Sequence, residues 1–245
     1  MTDHRRLHVA SLGTVAYADA LELQRAAARA RIDGTLDQDL LILVEHPAVV
    51  TTGRSTKAGH LLLDREALAA RGVELFDVER GGDVTFHGPG QLVGYPIIDL
   101  RRHTEDLHWY LRQVEQVLID ALGAFGIAAE RNPGKTGVWT RGRKIASIGV
   151  HARQWVTWHG FALNVTTDLS YFDVMVPCGI PDVVMTSVEH ELLDRADGVC
   201  LAPAPTLADD VREAVVAAAG RRFSLDPVAM DGETLRRVVG TVHAP

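Results

Sequence analysis

The 245-residue sequence predicts a mixed α/β (α+β) fold, a largely antiparallel sheet flanked by helices. Three observations point there. Short apolar runs of strand length mix with amphipathic helical runs, without the steady β-α alternation of a doubly wound sheet. A strand-rich block fills the middle of the chain, its segments Gly137–Thr140, Lys144–Gln154 and Thr157–Val165 separated only by turns. Apolar residues make up 47% and charged residues 23%, ordinary proportions for a globular chain of this length with one substantial core. We expect one domain, residues 1–245, with a helical C-terminal part from 206.

Taken in order, Leu7, Val9, Ala10, Leu12 and Val15 mark an opening strand. A helix is expected over Ala18–Ile32, stopping at Asp33-Gly34. Leu40–Glu45 (LLILVE) is a continuous apolar run that fits a buried strand, ended by His46-Pro47. Asp64 caps a short helix through Ala70 that closes at Gly72, and Val73–Val78 reads as a strand. The clearest helix begins at Thr104, where Leu107, Tyr110, Leu111, Val114, Leu118, Ala121, Leu122 and Phe125 share one face, and Gly126 ends it. In the strand-rich block, Arg141–Arg143 and Trp155–His159 are the expected turns. Irregular chain is expected over Asp168–Ile180, a short helix over Ser187–Arg195 and a spacer over Leu201–Pro205. Thr206 then caps a long helix, Leu207–Arg221, and a short one, Gly232–Val239, precedes the tail.

Several function classes drop out. A net charge of −7 opposes general nucleic-acid binding, which needs a basic surface. No window approaches the roughly 20 apolar residues of a membrane span, and no signal-peptide apolar core follows the basic residues near the N-terminus, so a cytoplasmic location is expected. Cys178 and Cys200 form neither a disulfide framework nor a CxxC pair. His46, His87, His151 and His159 match no metal-ligand spacing, so no metal is expected.

Chemistry is concentrated in three places. Arg80–Leu100 (RGGDVTFHGPGQLVGYPIIDL) places Gly81, Gly82, Gly88, Pro89, Gly90 and Gly94 close together. It fits either a glycine-lined hairpin or a cradle in which backbone passes close to a ligand. A phosphate loop is excluded, because HGPG runs into a strand rather than a helix and no GK[ST] lies within this stretch. Cys178, in Val-Pro-Cys-Gly-Ile, suits an exposed sulfur at the head of a turn, although a free cysteine also serves as a small buried hydrophobe, as is expected of Cys200 between Val199 and Leu201. Lys144 enters a buried strand marked by Ile145 and Ile148. It either snorkels to solvent or lies beside the thiol, where an ammonium favours the thiolate.

Together, Arg80–Leu100, Lys144–Gly149 (KIASIG), Gly160–Val165 (GFALNV) and Pro177–Ile180 resemble the lipoyl(octanoyl) transferase family, over about Leu40–Glu189 and in family order. The resemblance implies the fold of the biotin and lipoate ligase catalytic domains. It implies transfer of octanoyl from octanoyl-acyl carrier protein to a lysine of lipoyl domains, those of 2-oxo acid dehydrogenase complexes and of the glycine cleavage H protein, with no cofactor. Cys178 matches the acyl-accepting nucleophile and Lys144 the residue that activates it. Arg80, Gly81, Gly82, Asp83, Val84, Thr85, Phe86 and His87 match a substrate-binding loop, as do Ser147, Ile148 and Gly149, and Gly160, Phe161 and Ala162. Phe86 stands where the family often has tyrosine and Phe161 where it often has leucine. Val84, Phe86, Val150 and Phe161 are expected as walls of an acyl tunnel, His87 and His151 as hydrogen-bonding supports near the thiol. Arg101, Arg102, Lys135, Arg141, Arg143 and Arg153 are expected as a basic rim for acidic partners. The rival readings are an ATP-dependent lipoate ligase, a cysteine thioesterase and a non-catalytic acyl-binding module.

Overall fold

A computed structural model describes residues 5–180, 183–194 and 204–240, apart from the side chain of Cys178; Cys200 and residues 195–203 lie outside the described residues. Within them the strands are β1 (Arg6–Thr14), β2 (Asp39–Glu45), β3 (Val49–Thr52), β4 (Glu74–Asp77), β5 (Thr85–His87), β6 (Gln91–Ile97), β7 (Glu130–Asn132), β8 (Lys135–Thr140), β9 (Arg143–Arg153), β10 (Val156–Asn164) and β11 (Asp226–Ala229). The helices are α1 (Tyr17–Asp33), α2 (Arg65–Ala69), α3 (Leu107–Ala124), α4 (Val188–Leu193), α5 (Leu207–Phe223) and α6 (Gly232–Val239).

Among the described residues, eight strands pair in the order β11-β1-β2-β6-β10-β9-β8-β7. The pairings of β1 with β11 and β2 are parallel and the others antiparallel, which matches the expected mixed sheet. Alternation along the strands sends two sets of side chains to opposite faces. Leu41, Ile148, Phe161 and Leu163 meet Tyr110, Val114 and Leu118 of α3 and Val215 and Phe223 of α5. Ile42, Val93, Tyr95 and Ala162 meet Ala20, Leu23 and Ala27 of α1 and Leu235 of α6. A second sheet, β4-β3-β5, packs Val50, Val84 and Phe86 against Phe172 and Met175. Tyr17 and Leu21 at the start of α1 join Val49 and Val78 beside it.

Local chemistry moves several expected boundaries. α3 starts at Leu107 rather than Thr104, because Asp106 takes the N-cap and accepts from the backbone N–H of His108 and Trp109. Thr206 precedes α5 without capping its backbone; its hydroxyl donates to Asp210 instead. The turn placed at Trp155–His159 is only Gln154-Trp155, both residues at positive φ (50° and 62°), so β10 resumes at Val156. Arg141-Gly142 does the same between β8 and β9, at φ 49° and 76°. Two successive positive φ values match the twist of a tight hairpin.

Candidate functional site

The expected substrate-binding residues converge where the edge of the small sheet faces β6, β9 and β10, with Tyr17 of α1 closing one side. The space between them is a narrow cleft with a cavity volume of about 40 Å³. Asp83, Thr85 and His87 alternate into it with Arg80 and Gly82 beside them, while Ser147, Ile148 and Gly149 of β9 and Gly160, Phe161 and Ala162 of β10 form its floor. Val84 and Phe86 do not line it. The same alternation turns them into the core of the small sheet, where the Phe86 ring stacks on Tyr171 at 4.5 Å. Phe161 contributes to the floor from behind. Its ring lies over Gly94 toward the core shared with α3 and α5. Val150 faces that same core, and its carbonyl accepts from the Gly81 N–H at 2.9 Å.

Buried polar groups in the cleft hold one another in fixed protonation states. Arg80 donates through Nη2 to the Thr51 carbonyl (2.7 Å) and to Thr51 Oγ1 (2.8 Å). Thr51 Oγ1 in turn donates to His87 Nε2 at 3.4 Å, leaving His87 Nδ1–H to donate to Gln91 Oε1 at 2.9 Å. The Gln91 amide continues to Asn164 Oδ1, and the Asn164 amide to the Thr186 carbonyl. This chain fixes one neutral tautomer of His87, whose pKa is pushed down to about 3, first by burial and then by His46 and Arg80. His46 behaves alike. Its Nδ1–H donates to the Val15 carbonyl (2.7 Å) and its Nε2 accepts from the Tyr95 hydroxyl (2.6 Å), with its pKa lowered to about 4 by burial. Burial likewise raises the Tyr95 pKa well above its ordinary value.

His159, also on the cleft, sits in β10 at φ 55° with its N–H donated to Gln24 Oε1. Its Nε2 has no hydrogen-bond partner and lies 3.7 Å from Glu79, an ionic rather than hydrogen-bonding separation. Glu79 also receives Arg25 and Trp158 and is held well below the usual carboxylate range, His159 first among the causes. Burial lowers the His159 pKa. His151 packs against Trp158, ring centres 4.2 Å apart and planes tilted by 60°, and does not line the cleft.

Lys144 is fully buried, so it does not snorkel to solvent. Its Nζ lies 5.7 Å from the Trp139 ring centre. Its Cε occupies space that a side chain at Gly137 would take, an added Cβ there lying 2.8 Å away. The Lys144 backbone is bridged on both sides of Met185, its N–H to the Val184 carbonyl (2.8 Å) and its carbonyl to the Thr186 N–H (2.9 Å). It is thus tied to the segment downstream of Cys178. The Cys178 backbone lies in a 3-10 turn, Pro177–Gly179. The Gly179 N–H is spent on the Val176 carbonyl at 2.9 Å.

Half of the expected basic rim is ion-paired. Arg101 pairs with Asp99, Arg102 donates to the Asp37 carbonyl, and Arg141 and Arg143 grip Glu191 and Asp194. Lys135 stands over the Trp139 ring, while exposed Arg153 has no ion-pair partner among the described residues. No metal-ligating cluster occurs among the described residues, and no helix there is long and apolar enough to cross a membrane.

Residues 16–217 match the model of the lipoyl protein ligase A/B catalytic domain. The chain belongs to that family. Within it, an octanoyltransferase of Acidobacterium capsulatum is 47% identical over 230 residues, 89% of this chain and 88% of the relative. An octanoyltransferase of Solibacter usitatus is 55% identical over 169 residues, 69% of this chain and 76% of the relative. The lipoyl ligase fold itself is seen in the crystal structure of lipoate-protein ligase A bound with ATP, which superposes at TM-score 0.71 with 16% identity over 97% of this chain and 93% of that one.

Proposed function

We propose that this protein is an octanoyltransferase of protein lipoylation, working through a thioester on Cys178. The observation that carries the reading is the 47% identity to an octanoyltransferase along 89% of the chain. The cleft supports it, since glycine and alanine line a floor on which a slim apolar chain can lie. An octanoyl group offers about six methylenes at roughly 0.8 kcal/mol each, on the order of 5 kcal/mol on full burial.

The Cys178 thiolate attacks the carbonyl of a carrier-bound octanoyl thioester, and the tetrahedral adduct collapses with loss of the carrier thiolate, which takes a proton from the Lys144 ammonium and leaves that amine neutral. Exchange of one thioester for another is nearly isoenergetic and needs no nucleotide. A neutral lysine amine of a lipoyl domain then attacks the acyl-enzyme, the C–S bond breaks and the amide forms. Lys144 favours the thiolate in the first step and accepts the amine proton in the second. The donor is octanoyl-acyl carrier protein, and the acceptors are lipoyl domains of 2-oxo acid dehydrogenase complexes and the H protein. The reaction is placed in the cytoplasm, in one catalytic domain spanning the whole chain. Arg80, Asp83, Thr85 and His87 hold the donor end of the acyl group, with Ser147–Gly149 and Gly160–Ala162 beneath it.

Intact mass after incubation with octanoyl-carrier protein, without ATP, tests the reading. One octanoyl adduct is expected on the wild type and none on Cys178→Ala. Turnover by Cys178→Ala, or a strict need for ATP, would overturn it.

A further inference from the structure

The turn that carries Cys178 is held from below by two residues distant in sequence. The segment after β3 returns beside residues 174–176, where the His60 carbonyl accepts the Val176 N–H at 2.7 Å and the Leu62 N–H donates to the Val174 carbonyl at 2.9 Å. Leu61 and Met175 form the antiparallel bridge between these bonds. From this strap the His60 imidazole reaches the glycine-rich loop, its Nδ1 lying 2.6 Å from Asp83 Oδ2. Asp83 Oδ1 accepts from the Val84 N–H at 2.7 Å, which fixes the orientation of the carboxylate. Asp83 is 7% and the His60 side chain 22% exposed, so the pair is largely shielded from water.

Gly179 completes the arrangement. It sits at φ +64°, and a Cβ added there would fall on Asp83 Oδ2 and within 3.0 Å of the His60 ring. The cysteine turn therefore rests directly on the His60–Asp83 pair, and glycine at 179 is what permits the contact. Asp83 also lines the cleft. One hydrogen bond thus ties the strap, the acyl-binding loop and the turn of Cys178 together.

We infer that His60 and Asp83 form a clamp that positions the Cys178 turn against the acyl-binding loop, so that His60 is a positioning residue for acyl transfer. The inference rests on the octanoyl-transfer reading only for its consequence in turnover. Misplacing a nucleophile by about 1 Å costs about a hundredfold in rate, so loosening the clamp acts on thiol reactivity and on acylation rather than on donor affinity.

The test measures alkylation of Cys178 by iodoacetamide, resolved by peptide mass, together with single-turnover acylation by octanoyl-carrier protein. In His60→Ala both rates at Cys178 are expected to fall about tenfold or more with donor KM unchanged. His60→Asn places an amide N–H where Nδ1 stood, without a titrating ring, and is expected to recover to within about threefold, because the donated bond and not ring protonation is at work. Asp83→Ala should slow alkylation as His60→Ala does, and alkylation of the double variant should be no slower than in either single one, since both break the same bond. Wild-type alkylation in both single variants would overturn the clamp. So would a His60→Asn protein as slow as His60→Ala, or multiplying losses in the double variant. Alkylation reads the thiol whether or not octanoyl is transferred, so an active Cys178→Ala enzyme would remove the transfer mechanism and leave this result standing.

Discussion

Replacing Lys144 with methionine separates its chemistry from its packing. The side chain is fully buried between the Trp139 ring and the space left by Gly137, so shortening it leaves a void. Truncation of a buried long side chain to alanine costs about 2–5 kcal/mol. For a chain of this size each kcal/mol lowers Tm by about 2–4 °C, which gives a drop of about 4–20 °C for Lys144→Ala. Methionine nearly fills the volume, and volume-conserving exchanges cost less than about 1.5 kcal/mol, so Lys144→Met should melt within about 6 °C of the wild type. Removal of a proton-transferring group costs about 100- to 10,000-fold in rate. The two variants should therefore differ in calorimetric Tm and agree in having lost octanoyl transfer. Single-turnover acylation by Lys144→Met near the wild-type rate would refute the role given to the amine, and the packing argument would then be all that remains of it.

Acid should destabilise the protein through its buried histidines. With folded pKa values of about 4 for His46 and about 3 for His87 against an ordinary 6.5, the unfolded chain binds more protons below pH 6.5. Stability falls as pH drops from there, by about 3 kcal/mol per histidine at pH 4. Thermal melts from pH 7 to 4 should show a slope that His46→Gln reduces; an unchanged slope would contradict the assignment. In the Gln154-Trp155 turn, both residues bear the strain of positive φ, so Asn-Gly at these positions should raise Tm by about 2–4 °C without altering octanoyl transfer. A lower Tm would show that Trp155 contributes more by packing than its backbone costs.

What the sequence reveals depends on whether a signal is local. The amphipathic run of α3 and the apolar run of β2 are legible because burial on one face, or on both, writes itself into residue order. β11 is not. Asp-Pro-Val-Ala is exposed throughout and joins the sheet only because β1 offers a parallel edge. The small sheet is hidden for a similar reason, since β5 spans three residues inside a glycine-rich stretch that has no strand composition of its own. The site shows the same division. Its glycines and its Cys178 and Lys144 stand in recognisable blocks, whereas Thr51, Gln91, Asn164, Tyr17, Tyr95 and His60 meet only in three dimensions. Gln91 and Asn164 did carry a signal, as polar residues fully buried at strand ends, where each needs a partner. The error over Val84 and Phe86 was avoidable. Thr85 and His87 cannot face the cleft unless their neighbours face away.

The polar groups of the cleft also explain why a site for an apolar chain contains so many of them. Two imidazoles, a tyrosine, a glutamine and an asparagine would each be costly to bury unpaired. Here each hydrogen of the two imidazoles has a designated acceptor, so that His46 and His87 stay neutral and add no charge beside the acyl chain. Arg80, also at the lining, spends Nη2 on Thr51, and Glu79 is held by Arg25 and Trp158. The network thus supplies rigidity without net charge where methylenes are to lie. Asp83 is the exception, a carboxylate at the lining itself. Its place beneath Gly179 accounts for that exception, because the one carboxylate at the lining is the one packed against the turn that carries Cys178.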